Sequence, residues 1–363
     1  MHIQIDTKVF RETLDVVSKI STKHSTLPVL QCVLLEVKGT ELTLKATNLE
    51  IGIEGTLSVT SDEDGTIAVP ALILLQTVNL VNQSTLTLST EGDLLVVEAK
   101  ASRTEIKSIP AADFPSIPRV SGTPFTVSGP LFTLGVKTTA FTASQSSIKP
   151  ELGSIYIFQK KEHSLTFVAT DSFRLMEKTV PQKNVSLGES ILIPYKNALE
   201  LARVTEGASG DVELFINENQ CALRVGKIYI TSRLVHGTFP DYEQIIPKEY
   251  KTNISLLTGD LSQALKKTSI FLNKFMQLTL TAGKGALTLS AWSGEAGATT
   301  ESVPANVDGE EITLNFNQRY ITEALPHVQD DSVILKCAGV GRPMVIENAH
   351  DRSLRYLVMP MNK

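Results

Sequence analysis

The chain has 363 residues, 42% of them hydrophobic and 20% charged, with a formal net charge of −5. That length exceeds what one hydrophobic core fills, the negative balance excludes a protein that grips nucleic acid through a broadly basic surface, and no apolar run approaches a membrane span. Cys32, Cys221 and Cys337 stand singly in apolar runs with no second ligand at metal spacing, which predicts buried, reduced thiols and no metal site.

The first element is a short strand, Ile3-Gln4-Ile5, followed by a helix whose Phe10 and Leu14 lie four apart on one face. A pair of alternating strands turns at Lys38-Gly39-Thr40, the second reading Leu42-Thr43-Leu44-Lys45-Ala46-Thr47. Thr66-Ile67-Ala68-Val69-Pro70 then leads into a helix over 72–80, with the proline at the helix opening where a missing N–H costs nothing, and a hairpin turns at Glu91-Gly92-Asp93. The proline-rich stretch 115–124 reads as a linker.

The pattern then restarts. Phe125-Thr126-Val127 precedes a helix with Phe132 and Val136, a hairpin turns at Lys160-Lys161-Glu162-His163, and its second strand is Leu165-Thr166-Phe167-Val168-Ala169-Thr170. Ile191-Leu192-Ile193-Pro194 enters a helix over 198–204, and a hairpin turns at Asn217-Glu218-Asn219. After a second linker near 247–252, Ile254-Ser255-Leu256 precedes a helix with Leu261 and Leu265, and the hairpin at Ala282-Gly283-Lys284-Gly285 leads into Leu287-Thr288-Leu289-Ser290-Ala291-Trp292. Ile312-Thr313-Leu314-Asn315-Phe316 enters a helix over 320–325, and the closing turn is Gly339-Val340-Gly341. One unit is written three times, which predicts an α+β chain of three repeated domains at 1–120, 125–247 and 252–363, each with two helices on antiparallel sheets.

A helix laid on a sheet buries one face and frees the other. The free faces carry Arg11, Lys19 and Lys23, then Lys137, Lys196 and Arg203, then Lys266, Lys267 and Arg319, which predicts a mildly positive helical surface on an acidic protein. Catalytic signatures do not emerge: the chain has no nucleophile elbow, no phosphate-binding lysine loop and no His-Glu-x-x-His, and Asp171 with Arg174 reads as a structural pair. A non-enzymatic protein that binds through surfaces is expected.

Ala169-Thr170-Asp171-Ser172-Phe173-Arg174-Leu175, Phe239-Pro240-Asp241-Tyr242 and the terminal Tyr356-Leu357-Val358-Met359-Pro360-Met361 resemble the bacterial DNA polymerase III β subunit family, the sliding clamps. Thr26-Leu27-Pro28-Val29-Leu30 and Pro110-Ala111-Ala112-Asp113-Phe114-Pro115 agree with it, so the resemblance spans the chain. It implies a head-to-tail homodimer whose six domains form a ring, strands outside and helices lining the hole, enclosing duplex DNA in the cytoplasm without cofactor or membrane contact. The ring interface would pair Ile270, Phe271 and Leu272 with the edge strand near Ile106. DNA contacts would come from Lys23, His24, Gln145 and Lys196.

The same resemblance implies a pocket between the second and third domains that takes a short peptide with aliphatic and aromatic anchors. The peptide would come from the polymerase III catalytic subunit, clamp-loader subunits, translesion polymerases or other proteins bearing the clamp motif. Its lining would be Thr170, Leu175, Pro240, Ile245, Pro343, Val358, Met359, Pro360 and Met361, with Lys149, Leu152 and Arg174 at the rim. Flexible, polarizable methionines suit one pocket with many guests, and Pro360, by ending a strand, would free Met359 and Met361 to face it. Ser172-Phe173, Gln244, Lys149 and Asn362 depart from the family pattern, making the rim less basic and more aromatic, which predicts a weaker demand for acidic flanks. A repeat scaffold that binds proteins without DNA is the competing reading, and the helix lysines separate the two.

Overall fold

A computed structural model describes residues 1–21, 27–100, 102–183 and 187–361. The first third runs β1 (His2–Asp6), α1 (Thr7–Ser18), β2 (Cys32–Lys38), β3 (Glu41–Thr47), β4 (Ile51–Ser58), β5 (Thr60–Glu63), β6 (Gly65–Pro70), α2 (Ala71–Asn79), β7 (Thr85–Glu91), β8 (Leu94–Ala99) and β9 (Ser102–Lys107). The second runs β10 (Phe125–Ser128), α3 (Gly129–Thr139), β11 (Ser154–Phe158), β12 (Ser164–Thr170), β13 (Arg174–Pro181), β14 (Ile191–Pro194), α4 (Tyr195–Glu206), β15 (Asp211–Ile216), β16 (Gln220–Val225) and β17 (Ile228–Arg233). The third runs β18 (Thr252–Leu257), α5 (Thr258–Thr268), β19 (Gln277–Gly283), β20 (Ala286–Ser293), β21 (Gly297–Pro304), β22 (Asn306–Gly309), β23 (Ile312–Asn317), α6 (Gln318–Ala324), β24 (Ser332–Cys337), β25 (Met344–Asn348) and β26 (Leu354–Val358).

Each third is thus a strand, a helix and three antiparallel strands, given twice, with one further short strand, β5 or β22, in the first and third. The sequence reading found two strands after each first helix where the structure has three. The missing ones are β4, β13 and β21, and the first two join the repeats. In the helices the apolar stripes behave as their spacing requires: Phe10 and Leu14 of α1, Phe132 and Val136 of α3, and Leu261 and Leu265 of α5 are all buried. Asp6 caps α1 by accepting from the Val9 N–H at 2.9 Å, and Asn317 caps α6 from Arg319 at 3.0 Å. Pro70 and Pro194 do not enter the first helical turn: Pro70 is the N-cap of α2, at φ −54° and ψ 114°, and Pro194 ends β14 before α4 begins.

Compactness divides the chain into two units that do not follow the repeats: residues 1–133 with 196–234, and 134–195 with 235–363. The first unit holds a five-stranded sheet, β5-β1-β7-β8-β9, and an eight-stranded one, β10-β15-β16-β17-β4-β3-β2-β6. In the eight-stranded sheet β17 and β4 pair antiparallel across the repeats, with Ile230 opposite Ile53. The second unit holds a nine-stranded sheet, β14-β11-β12-β13-β26-β25-β24-β18-β22, and a four-stranded one, β21-β20-β19-β23. Here β13 pairs with β26, placing Met176 opposite Tyr356. The two seams obey one rule, the third strand of a repeat's first half bonding the third strand of the next repeat's second half.

The turn entering each seam is also repeated. Thr47 Oγ1 donates to the Ile51 carbonyl at 2.9 Å, while Asn48 Oδ1 accepts from the N–H groups of Glu50 and Ile51 at 3.0 and 2.9 Å. Thr170 Oγ1 donates to the Arg174 carbonyl at 2.7 Å, and Asp171 Oδ1 accepts from Phe173 and Arg174, both at 3.0 Å. Leu49 and Ser172, one in each turn, share a left-handed backbone, φ 77° and 78°.

Candidate functional site

The turn between β12 and β13 forms one wall of a cavity in the second unit. Its empty volume, about 650 Å³ including space open to solvent, falls in the range of ligand pockets. The walls are Leu152, Thr170, Ser172, Phe173, Arg174 and Leu175, then Pro240, Asp241, Tyr242 and Ile245 from the linker between β17 and β18, which starts well before the 247–252 read from the sequence, Pro343, and Leu357 and Met359 from the tail. Leu152 and Leu175 are buried, whereas Phe173 is 60% and Ile245 48% exposed, so an apolar floor rises to two loosely held apolar walls.

The linker is fixed over the seam by aromatic packing. Phe239 stacks on Tyr156 at 4.8 Å between centroids and meets Tyr242 edge-on at 6.3 Å. The Tyr242 hydroxyl donates to Glu177, a buried carboxylate on β13 that Lys160 and Arg355 also approach, at 3.3 and 3.7 Å. Burial, reinforced by that carboxylate, pushes the Tyr242 phenol far above its ordinary range, so it stays a neutral donor.

Of the twelve expected pocket residues, Leu152, Thr170, Arg174, Leu175, Pro240, Ile245, Pro343 and Met359 line the cavity, and Lys149, Val358, Pro360 and Met361 do not. Val358 is fully buried in the third repeat's core, opposite Arg174 and Met344. Strand alternation explains it: Leu357 and Met359 share the cavity face and Val358 takes the other. The ladder ends before Pro360, yet the tail keeps bonding, with the Met359 N–H donating to the Phe173 carbonyl at 2.8 Å and that of Met361 to Asn315 at 2.7 Å. The Met361 backbone is therefore tied to β23. Lys149 is exposed and adds only its carbonyl, which accepts from Leu152 and Gly153.

Arg174, expected at the rim, lines the cavity and is also a buried strut. Its Nε donates to Asp171 at 3.0 Å, one Nη to Glu323 on α6 and the other to the Phe141 carbonyl at 2.9 Å. The guanidinium lies 4.6 Å from the Tyr320 ring centroid and 5.4 Å from that of Phe141. Leu152, also expected at the rim, is part of the floor. Sequence reasoning missed Asp241, Tyr242 and Leu357 as lining residues, and treated Ser172 and Phe173 only as departures. Gln244, another departure, bonds Asp241 at 2.8 Å.

Lys23, His24 and Asn362 lie outside the described residues. Gln145, Lys137, Lys196 and Lys266 are exposed. Several of the free-face cations have partners within the fold. Arg11 donates to the Val78 and Val81 carbonyls at the end of α2, and Arg203 to Val16 and Glu200. Lys19 pairs with Asp15, Lys267 with Glu301 and Arg319 with Glu323, so the helical surface is less positive than expected. Ile270 is 69% exposed, while Phe271 and Leu272 are half-buried against the third repeat's core. Ile106 points inward from β9 at 3% exposure, so that strand offers its backbone edge rather than this side chain.

Models of the DNA polymerase III beta subunit match the chain in three consecutive blocks: the N-terminal domain over residues 1–118, the central domain over 126–241 and the C-terminal domain over 243–362. The beta sliding clamp of Pseudomonas aeruginosa is 28% identical over 372 residues, covering 99% of this chain and 100% of the relative. A crystal structure of the DNA polymerase III subunit beta from P. aeruginosa has a TM-score of 0.95 at 26% identity, covering both chains fully. Another sliding clamp from that organism, solved with griselimycin bound, has a TM-score of 0.93 at 26% identity, again over the whole of both chains.

Proposed function

The chain belongs to the DNA polymerase III beta subunit family, and on that premise we propose that its seam cavity is the docking pocket through which polymerases and other clamp-motif proteins are tethered to DNA. The protein is a non-catalytic processivity subunit. The observation that carries the pocket assignment is the apolar cavity bounded by Leu175, Pro240, Pro343, Leu357 and Met359, with Leu152 as floor. The griselimycin-bound relative supports it, because a clamp of this fold accepts a ligand. An aliphatic anchor would enter over Leu152 and Leu175, and an aromatic one would rest against Met359 and Phe173, contacts that thioether sulfur and ring edges favour. The partners are the polymerase III catalytic subunit, clamp-loader subunits and translesion polymerases, in the cytoplasm.

A second copy closes the ring head to tail. The seam rule pairs β4 with β17 and β13 with β26, leaving β21 and β9 as the two strands of that class without a partner across a seam. Each is the outermost strand of its sheet, with a row of backbone donors and acceptors to offer. Ile270, Phe271 and Leu272 flank that joint. Gln145 and Lys196, with Lys23 and His24, contact the phosphate backbone of the enclosed duplex; enclosure needs few such charges, in keeping with a chain of net charge −5.

The test is fluorescence anisotropy with a labelled peptide carrying a glutamine, two leucines and a terminal phenylalanine in clamp-motif order. Met359→Ala is expected to weaken binding about tenfold or more, as for a buried apolar anchor, and Met361→Ala to leave it within about twofold. Equal losses in the two variants, or no saturable binding by the parent protein, would refute the assignment.

A further inference from the structure

Each internal seam gathers an arginine, an aromatic ring and a carboxylate on one face of the joined strands. At the first seam Arg119 of the linker lies 4.4 Å from the Tyr229 ring centroid and pairs with the buried Glu54. At the second, Arg355 and the Tyr242 hydroxyl both address Glu177. In both the linker supplies part of the cover: Val120 N donates to the Tyr229 hydroxyl at 2.8 Å, and Tyr242 is itself a linker residue. A joint between two copies has no linker to cover it, so any cover must come from the strands themselves.

The register of that joint follows from the two seams already formed. Ile53, Met176 and Thr299 each lie four residues before the hairpin partners Leu57, Val180 and Val303 of Leu42, Leu165 and Leu287. On the other side, Leu214 leads through Leu223 to Ile230, Leu335 through Ile346 to Tyr356, and Leu88 through Val97 to Thr104. Ile53 meets Ile230 and Met176 meets Tyr356, so Thr299 meets Thr104 of a second copy. Arg103 then falls opposite Thr300, and Glu105 opposite Ala298.

Arg103 would continue a row that runs Thr279, Ser290, Thr300 across β19, β20 and β21. That row is the floor of a trough of about 520 Å³, with Gln277 at one side and Trp292 as its wall. Trp292, the one tryptophan in the chain, is 65% exposed beside the small Ala298. Its indole face suits a guanidinium. Arg103 is 43% exposed and held by Glu91, Glu98 and Glu105 at 2.7 to 3.2 Å, surface pairs weak enough to yield or to travel with it.

Resting on the head-to-tail dimer proposed above, we infer that Trp292 is the cover of the intermolecular joint, stacking on Arg103 of the second copy as Tyr229 does on Arg119. The full chain with its single tryptophan reports on this directly. Emission excited at the red edge and its quenching by acrylamide are followed against concentration, with light scattering giving the mass at each point. In the dimer the indole is expected to be shielded from acrylamide. Arg103→Ala, at a concentration where scattering still shows a dimer, should return quenching toward the monomer level, with Arg103→Lys falling between. Trp292→Ala should weaken dimerisation about three- to tenfold. A dimer whose tryptophan is quenched like the monomer's overturns the inference and leaves the dimer standing, whereas absence of a dimer at every concentration removes both.

Discussion

Replacing Arg174 decides whether this residue props the pocket or recognises what enters it. Its side chain is 8% exposed and joins Asp171, Glu323 and the Phe141 carbonyl. Burial alone would lower its pKa, but the Glu323 and Asp171 carboxylates outweigh that and keep it cationic. Arg174→Ala strands two carboxylates that are only 17% and 30% exposed and empties the slot between Tyr320 and Phe141. Breaking a buried pair costs about 3–5 kcal/mol, and because Glu323 keeps some water the lower end, about 3 kcal/mol, is expected. For a unit of this size that lowers the melting temperature by roughly 6–12 °C. Arg174→Lys keeps the charge but loses the planar fork, and should fall in between. Calorimetry measures both, and peptide anisotropy on the folded Lys variant should stay within about threefold of the parent. A melting temperature unchanged in Arg174→Ala together with lost peptide binding would refute the strut and restore the rim role.

Burial would raise the Glu323 carboxyl, but hydrogen bonds from Arg174 and Arg319 outweigh it and hold it below the usual carboxylate range. A carboxylate depressed in the folded state stabilises above its unfolded pKa and loses that contribution as pH falls through the folded value. Glu323→Gln should therefore be less stable near neutrality and show a shallower loss of stability as the solution is acidified through the carboxylate range, measured by urea unfolding across pH. Burial pushes Cys32 up to about 11 and Cys221 and Cys337 up to about 12. A disulfide reagent at mildly alkaline pH should find no fast-reacting thiol in the folded protein and three once guanidinium is added; a fast thiol before unfolding would contradict the packing.

The repeat, the six helices and their buried stripes were legible because helix periodicity and hairpin turns are local signals. The seams were not. In β4 the alternation of Ile51, Ile53 and Leu57 with Glu54, Thr56 and Ser58 marks a half-exposed strand, and that Glu54 is instead buried opposite Tyr229 is decided by residues far along the chain. Met359 could be separated from Val358 by strand alternation alone, and that signal was passed over in favour of the methionines as a class. Arg174 could not: its burial depends on Glu323 and Phe141, which no local pattern ties to it. The helix cations were visible, but not the Asp15, Glu301 and Glu323 that neutralise Lys19, Lys267 and Arg319.

Sharing the second repeat between two compact units has a price during synthesis. Strand β4 leaves the ribosome roughly 175 residues ahead of Arg233, the end of the strand that completes its sheet. At bacterial or slower elongation rates that is about 10–35 s in which an open edge is available to other nascent chains. Glu54 sits in the middle of that edge. While the edge is open its charge opposes stray pairing, and once β17 arrives the same carboxylate is buried beside Arg119 and fastens the linker. One side chain thus serves first as gatekeeper of an unfinished sheet and then as its bolt.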